Sequence, residues 1–391
     1  MSEIVILGTA RTAIGSFQGA LQAVPAPRLG AVALRAAIER SGVEGAAIDQ
    51  VNMGCVLPAG LGQAPARQAA LGAGCPQSTG AVTINKVCGS GMRAVMMAAN
   101  DLRAGDYELV AAGGMESMSN APYLVDGARG GLRLGHRQLT DSMIHDGLWD
   151  PYGDQHMGNC AELCAREFSF SREQQDEYAV SSYERARSAT ESGLFAGEIV
   201  PVEVKGRKET IQVARDEDPF RVDLARTGSL RPAFEKDGSV TAANASNLND
   251  GAAALVLTRD EVARRRGLEP RARLVAHASV AQAPEWFTTA PIAAVQRALE
   301  RAGWTPDDVD LWEINEAFAV VVLACMQEVG IARERVNVHG GAVALGHPIG
   351  ASGARIVVTL LHALEQRDAR RGCAAICIGG GEATAVLVER C

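Results

Sequence analysis

The stretch Ser90-Gly-Met-Arg-Ala-Val95 is echoed by Ser352-Gly-Ala-Arg-Ile-Val357, and the echo decides the fold. Both blocks open a helix behind a glycine-rich turn. Upstream, Arg35-Ala-Ala-Ile-Glu-Arg-Ser-Gly42, continuing through Ala47-Ile-Asp49, pairs with Arg297-Ala-Leu-Glu-Arg-Ala-Gly303, continuing through Asp308-Val-Asp310. Each reads as an amphipathic helix ended by glycine, then a turn, then a strand beginning at Val51 or Trp312. Downstream, Val110-Ala-Ala-Gly-Gly-Met-Glu116 pairs with Ile376-Cys-Ile-Gly-Gly-Gly-Glu382, each read as a strand breaking into glycines. Gly251-Ala-Ala-Ala-Leu-Val-Leu257 likewise pairs with Glu382-Ala-Thr-Ala-Val-Leu-Val388 as a last strand.

Blocks that recur in one order mean two homologous α/β halves. The first half closes its last strand only near Val256. The expected organisation is an N-terminal half over residues 1–117, closed by a strand and helix at about 251–268, with a loop domain inserted over 118–250 and a C-terminal half over 269–391. An excursion of that size is a lid or binding subdomain rather than a loop. Active sites in such sheets gather at strand ends, where Cys88, Cys377 and the His347 region fall.

Composition limits the chemistry. At 391 residues, 47% of them hydrophobic and 21% charged, the chain reads as an ordinary globular protein with two or three core-bearing units. No apolar run reaches the roughly 18 residues of a membrane span. The opening Ile4-Val-Ile-Leu7 reads as a buried strand without a charged leader, so no signal or transit segment is expected. Arginine in excess over lysine is the codon signature of a GC-rich bacterium, which makes the cytoplasm the expected location. A net charge of −8 argues against nucleic acid as a general partner. One local exception runs from Lys205 to Arg231, where Arg207, Lys208, Arg215, Arg221 and Arg226 also collect; it suits either a small polyanion or a solvated loop of mixed charge. Nine cysteines, without the two-residue gaps of zinc knuckles, read as free thiols in a reducing compartment.

Cys88 lies between a predicted strand at Val82 and a predicted helix at Ser90. A thiol at a helix N-terminus is expected to have a lowered pKa, since the free N–H groups and the macrodipole favour the thiolate. Alone, Cys88 is as well read as a small buried residue under a turn. The loop Asn337-Val-His-Gly-Gly-Ala-Val-Ala-Leu-Gly-His347 changes that reading, because by the repeat it brings His347, a base, close to the thiol. His339 has no such reason to face the thiol and reads as structural or surface. Cys377 precedes Gly379-Gly-Gly381, a turn able to aim N–H groups at a developing oxyanion. Beside Cys88 it can form a disulfide, move a proton or bind a metal, and against the last stands the lack of a suitably spaced set of Cys and His around it. Asn315 can hold a water or a carbonyl oxygen, and Glu316 can orient the neighbouring histidine.

These motifs resemble the thiolases, and most of all their short-chain, acetoacetyl-CoA-forming branch. The resemblance runs from Gly8-Thr-Ala-Arg-Thr-Ala-Ile-Gly-Ser-Phe17 through Gly62-Gln-Ala-Pro-Ala-Arg-Gln-Ala69, Asn85-Lys-Val-Cys-Gly-Ser-Gly91, Asn315-Glu-Ala-Phe318 and Gly346-His-Pro-Ile-Gly-Ala-Ser-Gly353 to Cys377-Ile-Gly-Gly-Gly381. It implies a five-layered αβαβα core of two halves with an inserted loop domain, and a homotetramer made of two dimers. It implies Cys88 as the nucleophile that carries the acyl group, His347 as its base, and Cys377 as the acid and base at the second substrate's methyl carbon. Asn315, through a water, and His347 would form one oxyanion hole; the N–H groups of Cys88 and Gly379 would form the other.

The same resemblance places Ser246 at the pantetheine, with Leu148, His156, Met157, Phe234, Ala242 and Phe318 lining its path and Arg221 at the nucleotide end. Phe287 points to tolerance of a 2-methyl branch, and His156-Met157 to short acyl chains. The substrates implied are acetyl-CoA, acetoacetyl-CoA and CoA, with no cofactor. Thiolases for β-ketoadipyl-CoA or longer chains share this catalytic set and differ in the pocket walls. A decarboxylating synthase needs no base for the α-carbon, so Cys377 argues against one. A non-catalytic CoA or lipid carrier on this scaffold would have lost the reactive groups.

Overall fold

The computed structural model describes residues 2–206 and 208–391, which leaves Arg207 of the basic stretch outside the described residues. The chain begins with β1 (Ile4–Thr12), α1 (Ala26–Arg40), β2 (Gln50–Gly54), α2 (Pro65–Ala73), β3 (Gly80–Ile84), α3 (Ser90–Ala104) and β4 (Leu109–Ser117). The insertion carries α4 (Met157–Glu167) and α5 (Arg172–Glu191) among short hairpins and turns. Then follow β5 (Asn249–Arg259), α6 (Asp260–Arg266), β6 (Ala272–Ala281), α7 (Ala290–Ala302), β7 (Leu311–Ile314), α8 (Ala319–Val329), α9 (Ile349–Gln366), β8 (Arg371–Ile378) and β9 (Glu382–Arg390).

The strand order is β7-β8-β9-β6-β1-β5-β4-β2-β3. Within it the N-terminal half contributes β1-β5-β4-β2-β3 and the C-terminal half β6-β9-β8-β7, joined where Ile4 to Ile6 meet Leu274 to Ala272. Both halves run antiparallel, antiparallel, then parallel. The C-terminal counterpart of β3 is reduced to a single parallel bridge from Trp312 to Val336. Strands β2 and β7 begin at Gln50 and Leu311, one residue ahead of the expected Val51 and Trp312.

Layering follows from where the apolar faces point. The segment Ile349–Gln366 is apolar on nearly all sides, so it must be buried all round. It lies beside α3 between the two halves of the sheet, where Met92, Val95 and Leu102 meet Val357, Leu360 and Leu364. Each such side chain contributes about 1.5–3 kcal/mol on burial. Helices α1 and α2 cover one outer face and α7 and α8 the other, giving αβαβα. The insertion is tied to the core through Arg11 of β1, whose buried guanidinium grips Asp216 at 2.8 and 2.9 Å and bonds Glu198 at 2.5 Å. Among the described residues no helix is long and apolar enough to cross a membrane.

One expectation fails in an informative way. Strand β4 does not break at its glycines; it runs through Gly113 and Gly114 to Ser117, paired with β5. A Cβ at Gly114 would lie 2.0 Å from the Gly350 carbonyl, so this glycine admits α9's first turn, while one at Gly113 would lie 2.0 Å from the Ala253 carbonyl of β5. In β8 the strand does end, and Gly380 and Gly381 turn the chain at φ +87° and +81°. Glu116 and Glu382 are therefore not structural counterparts. The Ser-Gly echo has a related cause: a Cβ at Gly91 would sit 2.9 Å from the Ala354 nitrogen, and one at Gly353 2.5 Å from that of Met92. Glycine at both positions lets the two helix N-termini cross side by side.

Candidate active site

Those crossing N-termini set the site. Two residues before α3, Cys88 sits in a turn where Val87 takes φ +44°, a region that a β-branched side chain resists. The turn is held by its neighbours: Asn85 Oδ1 accepts from the Val87 N–H at 3.0 Å, and Ser90 Oγ accepts from the Lys86 N–H at 2.8 Å and donates to the Val87 carbonyl at 2.6 Å. The thiol is thereby presented to a cavity of about 340 Å³, whose wall also carries His347 and Gly379.

His347 stands two residues before α9, as Cys88 stands two before α3, although in the Ser-Gly echo its own counterpart is Asn85. Its backbone N–H is fixed by Asn249 Oδ1 at 2.8 Å. The Ser352 hydroxyl donates to the Pro348 carbonyl at 3.0 Å, and since a hydroxyl has one proton, it accepts from His347 Nδ1 at 2.6 Å. That leaves the lone pair on Nε2, with Asn315 Nδ2 3.5 Å away. Burial, helped by the charge of Arg355, pushes the imidazole down to about 3, so it is neutral. The Asn315 Oδ1 is buried with no partner among the described residues, an acceptor available to a water or a substrate group.

For Cys88 the expected lowering of the pKa is overturned. Burial pushes the thiol up to about 11; the N–H groups of Gly379 and of Cys88 itself bond the sulfur and favour the thiolate, but they are outweighed. Those donors remain significant, because they already converge where an oxyanion next to the sulfur would form. Cys377 is fully buried behind the cavity wall, in a cluster with Met157, Phe287 and Phe318. Burial first, and then the nearby Cys88, raise its thiol well above the ordinary range.

The structure brings most of the expected substrate contacts to the same cavity. Leu148, His156, Met157 and Phe234 line it on one side, and Ala242, Ser246, Phe287 and Phe318 on the other. His156 stacks on Phe234 with ring centroids 4.8 Å apart, and Phe318 meets Phe234 and Phe287 edge-on at 6.1 and 6.3 Å. Arg221 lies elsewhere, exposed at the end of the short helical turn Asp218–Phe220. None of Lys205, Lys208, Arg215, Arg226 or Arg231 reaches the cavity wall either.

Sequence reading missed part of the wall. Met118, Met143, Ile144, Ala245, Leu248 and Ile349 all line it. Met143 and Ile144 belong to a π-helical turn, Met143–Leu148, inside the insertion, a feature without an apolar period to betray it. Ser352, which orients His347, was findable as the repeat mate of Ser90.

Glu316 does not orient a histidine. Its carboxylate is already occupied by Tyr178 Oη and Ser182 Oγ at 2.7 Å, Asn337 Nδ2 at 2.8 Å and the Val343 N–H at 3.0 Å, which pins α5 to the loop ahead of His347. His339 is structural: buried, with its ring edge-on to Phe195 at 5.9 Å. All nine cysteines are free thiols, and among the described residues no three His, Cys, Asp or Glu side chains gather as a metal site.

This two-half architecture, with paired helix N-termini facing one cavity, has known counterparts. Residues 4–261 match the family described as Thiolase, N-terminal domain, and residues 268–390 that described as Thiolase, C-terminal domain. The chain belongs to the thiolase family. It is 52% identical over 392 residues to an acetyl-CoA acetyltransferase of Cupriavidus necator, covering 100% of both chains. It is 53% identical to acetyl-CoA acetyltransferase 2 of Arabidopsis thaliana, covering 99% of this chain and 97% of that one. The crystal structure of the Bacillus anthracis acetyl-CoA acetyltransferase superposes with a TM-score of 0.98 at 42% identity, covering 100% of this chain and 99% of that chain.

Proposed function

We propose that this thiolase is an acetyl-CoA C-acetyltransferase, which joins two acetyl-CoA molecules into acetoacetyl-CoA and CoA and runs the thiolysis in reverse. The observation that carries the reading is the convergence of Cys88, His347 and the Gly379 N–H on one apolar cavity, in a chain about half identical to acetyl-CoA acetyltransferases along its full length. The Cys88 sulfur attacks the thioester carbonyl while its proton passes to His347 Nε2. The N–H groups of Cys88 and Gly379 hold the oxyanion of the tetrahedral intermediate, and CoA leaves as the thiol, taking the proton from His347, so that an acetyl-cysteine and a neutral imidazole remain. Cys377 passes its own proton to His347 and, as the thiolate, takes a proton from the methyl carbon of a second acetyl-CoA. Protonated His347 and a water on Asn315 bond the enolate oxygen, and the carbanion attacks the acetyl-cysteine. Two steps with separate oxyanion holes replace one crowded step between two thioesters.

Ser246 and the His156–Phe234 stack hold the pantetheine arm, with Arg221 nearer the nucleotide. The aromatic wall of Phe287 and Phe318 leaves room for a short acyl chain, and 2-methylacetoacetyl-CoA is expected to be cleaved under the same conditions. No cofactor takes part. The chain works in the cytoplasm as a homotetramer of two dimers. The exposed Tyr123, Leu132, Leu134 and Leu139 on one loop of the insertion support burial against another subunit, since a monomer rarely displays so many large apolar groups together.

The test is the initial rate of acetoacetyl-CoA loss on adding free CoA. Cleavage that falls at least about 10⁴-fold in Cys88→Ala is the expected outcome. Equal rates in both proteins, or no cleavage by either, would refute this assignment.

A further inference from the structure

At the far end of α3 the chain builds a second recess of opposite chemistry. The helix is 15 residues long, so its C-terminal Arg103 stands about 20 Å from the Cys88 end. A groove of about 860 Å³ opens there, well within the size that takes a small ligand. Arg103, Arg273, Arg301, Arg370 and Arg371 line it, against only two carboxylates, Glu3 and Glu389. In a chain of net charge −8 this is a local inversion of sign.

The carboxylates neutralise it only in part. Glu389 is shared by Arg273, Arg370 and Arg371, Arg273 also pairs with Glu3 at 2.7 Å, and Arg371 with Asp308 at 3.3 Å, which among the described residues leaves Arg103 and Arg301 without a carboxylate. Arg103 and Arg301 turn to the neutral groups of His277 instead: Arg103 Nη1 lies 3.3 Å from the ring Nε2, and Arg301 Nη1 donates to the backbone carbonyl at 2.6 Å. Burial, with the charges of Arg103, Arg301 and Arg93, pushes His277 down to about 4, so the ring adds no charge of its own. Its Nδ1 is buried and has no partner among the described residues. Trp304 forms a flat wall of the same groove, with the Arg371 guanidinium 4.6 Å above its ring.

Guanidinium groups that line one groove repel one another, and an anion bridging them removes the repulsion. Their forked donors match phosphate oxygens two at a time. We propose that this groove is a binding site, separate from the catalytic cavity, for a compact polyphosphate anion carrying at least two phosphates. Inorganic polyphosphate and a nucleoside di- or triphosphate share that chemistry.

Titration calorimetry on the full chain, with inorganic tripolyphosphate and with ATP as probes, tests it. One saturable site per chain is expected for at least one probe, weakening about tenfold or more when salt rises from 0.02 to 0.2 M. Binding is expected to persist in saturating acetyl-CoA. Tripolyphosphate bound as well as ATP identifies the inorganic ligand; tighter ATP binding with quenching of Trp304 identifies the nucleotide. The double variant Arg103→Gln, Arg301→Gln is expected to lose at least tenfold in affinity, with thiolysis kept within about twofold as the check on folding. Should that variant lose thiolysis, the exposed Arg370→Gln takes its place, with affinity expected to fall about threefold. No saturable binding of either probe to the native chain, unchanged affinity in a folded variant, or displacement by acetyl-CoA would each overturn the proposal.

Discussion

Glu116 and Cys377 stand near the ends of equivalent strands of the two halves, one register position apart, and do different things there. Each is the next-to-last residue of its strand, β4 ending at Ser117 and β8 at Ile378. Glu116 faces the N-terminus of α9, whereas Cys377 lies in the apolar cluster behind the catalytic cavity. Glu116 accepts from the N–H of Gly350 in α9 at 2.9 Å, and from those of Val56 and Leu57 at 2.9 and 3.2 Å. By the repeat, Gly350 of α9 corresponds to Cys88 ahead of α3, and the sheet register matches Glu116 with Ile378, which packs on Gly89; Cys377 is the residue just before that position. One dock is filled by a carboxylate that spends its oxygens on backbone donors. The other is filled by two thiols with almost no polar partners. A scaffold duplicated once can thus keep one helix N-terminus as an anchor and leave the other for chemistry.

Breaking the reactive side is expected to give the larger effect. Cys377→Ala removes the group that moves the α-proton, and condensation and thiolysis are both expected to fall about 10³-fold. Acylation of Cys88 does not need that proton, so incubation with acetyl-CoA is expected still to add one acetyl group to the protein by mass. Loss of the acetyl adduct as well would assign Cys377 to the first step and undo the division of labour between the two thiols.

Much of this was legible before any coordinate. The Ser-Gly echo placed Cys88 and His347 at paired helix starts because close helix crossing demands glycine, and glycine is visible in a sequence. Other features depend on what surrounds a group, which the chain order hides. The rise of the Cys88 pKa comes from walls supplied by the insertion, Met118 and Met143 among them. The occupation of Glu316 comes from Tyr178 and Ser182, far away in sequence on α5. The glycines that follow β4's and β8's apolar runs look alike as letters, yet Gly114 admits a helix within its strand while Gly380 and Gly381 make a turn. Only the strand pairing separates them.

Breaking the anchoring side is expected to cost stability rather than chemistry. Glu116→Ala leaves three buried N–H groups without an acceptor, a loss of about 3 kcal/mol or more. Read from urea midpoints, that loss is expected to exceed the change in Cys377→Ala, where a small apolar thiol gives way to a methyl for about 1 kcal/mol. Equal midpoints for the two variants would mean that the carboxylate does not hold α9 in place.

The smallest effect bears on how the reactive dock is kept quiet. With Cys88 pushed up to about 11 and His347 down to about 3, the resting pair is a neutral thiol beside a neutral imidazole. At pH 7 only about one site in 10⁴ holds a thiolate. Iodoacetamide labelling of Cys88, followed by mass spectrometry of its peptide, is therefore expected to accelerate about tenfold per pH unit from 7 to 10 without levelling off. A plateau beginning near pH 6 would instead signal a preformed thiolate and imidazolium. The neutral pair suits a thiol that must wait beside water and metabolites. Its proton moves only when a thioester carbonyl lies against the Cys88 and Gly379 N–H groups, since only then does the cavity hold a place for the negative charge.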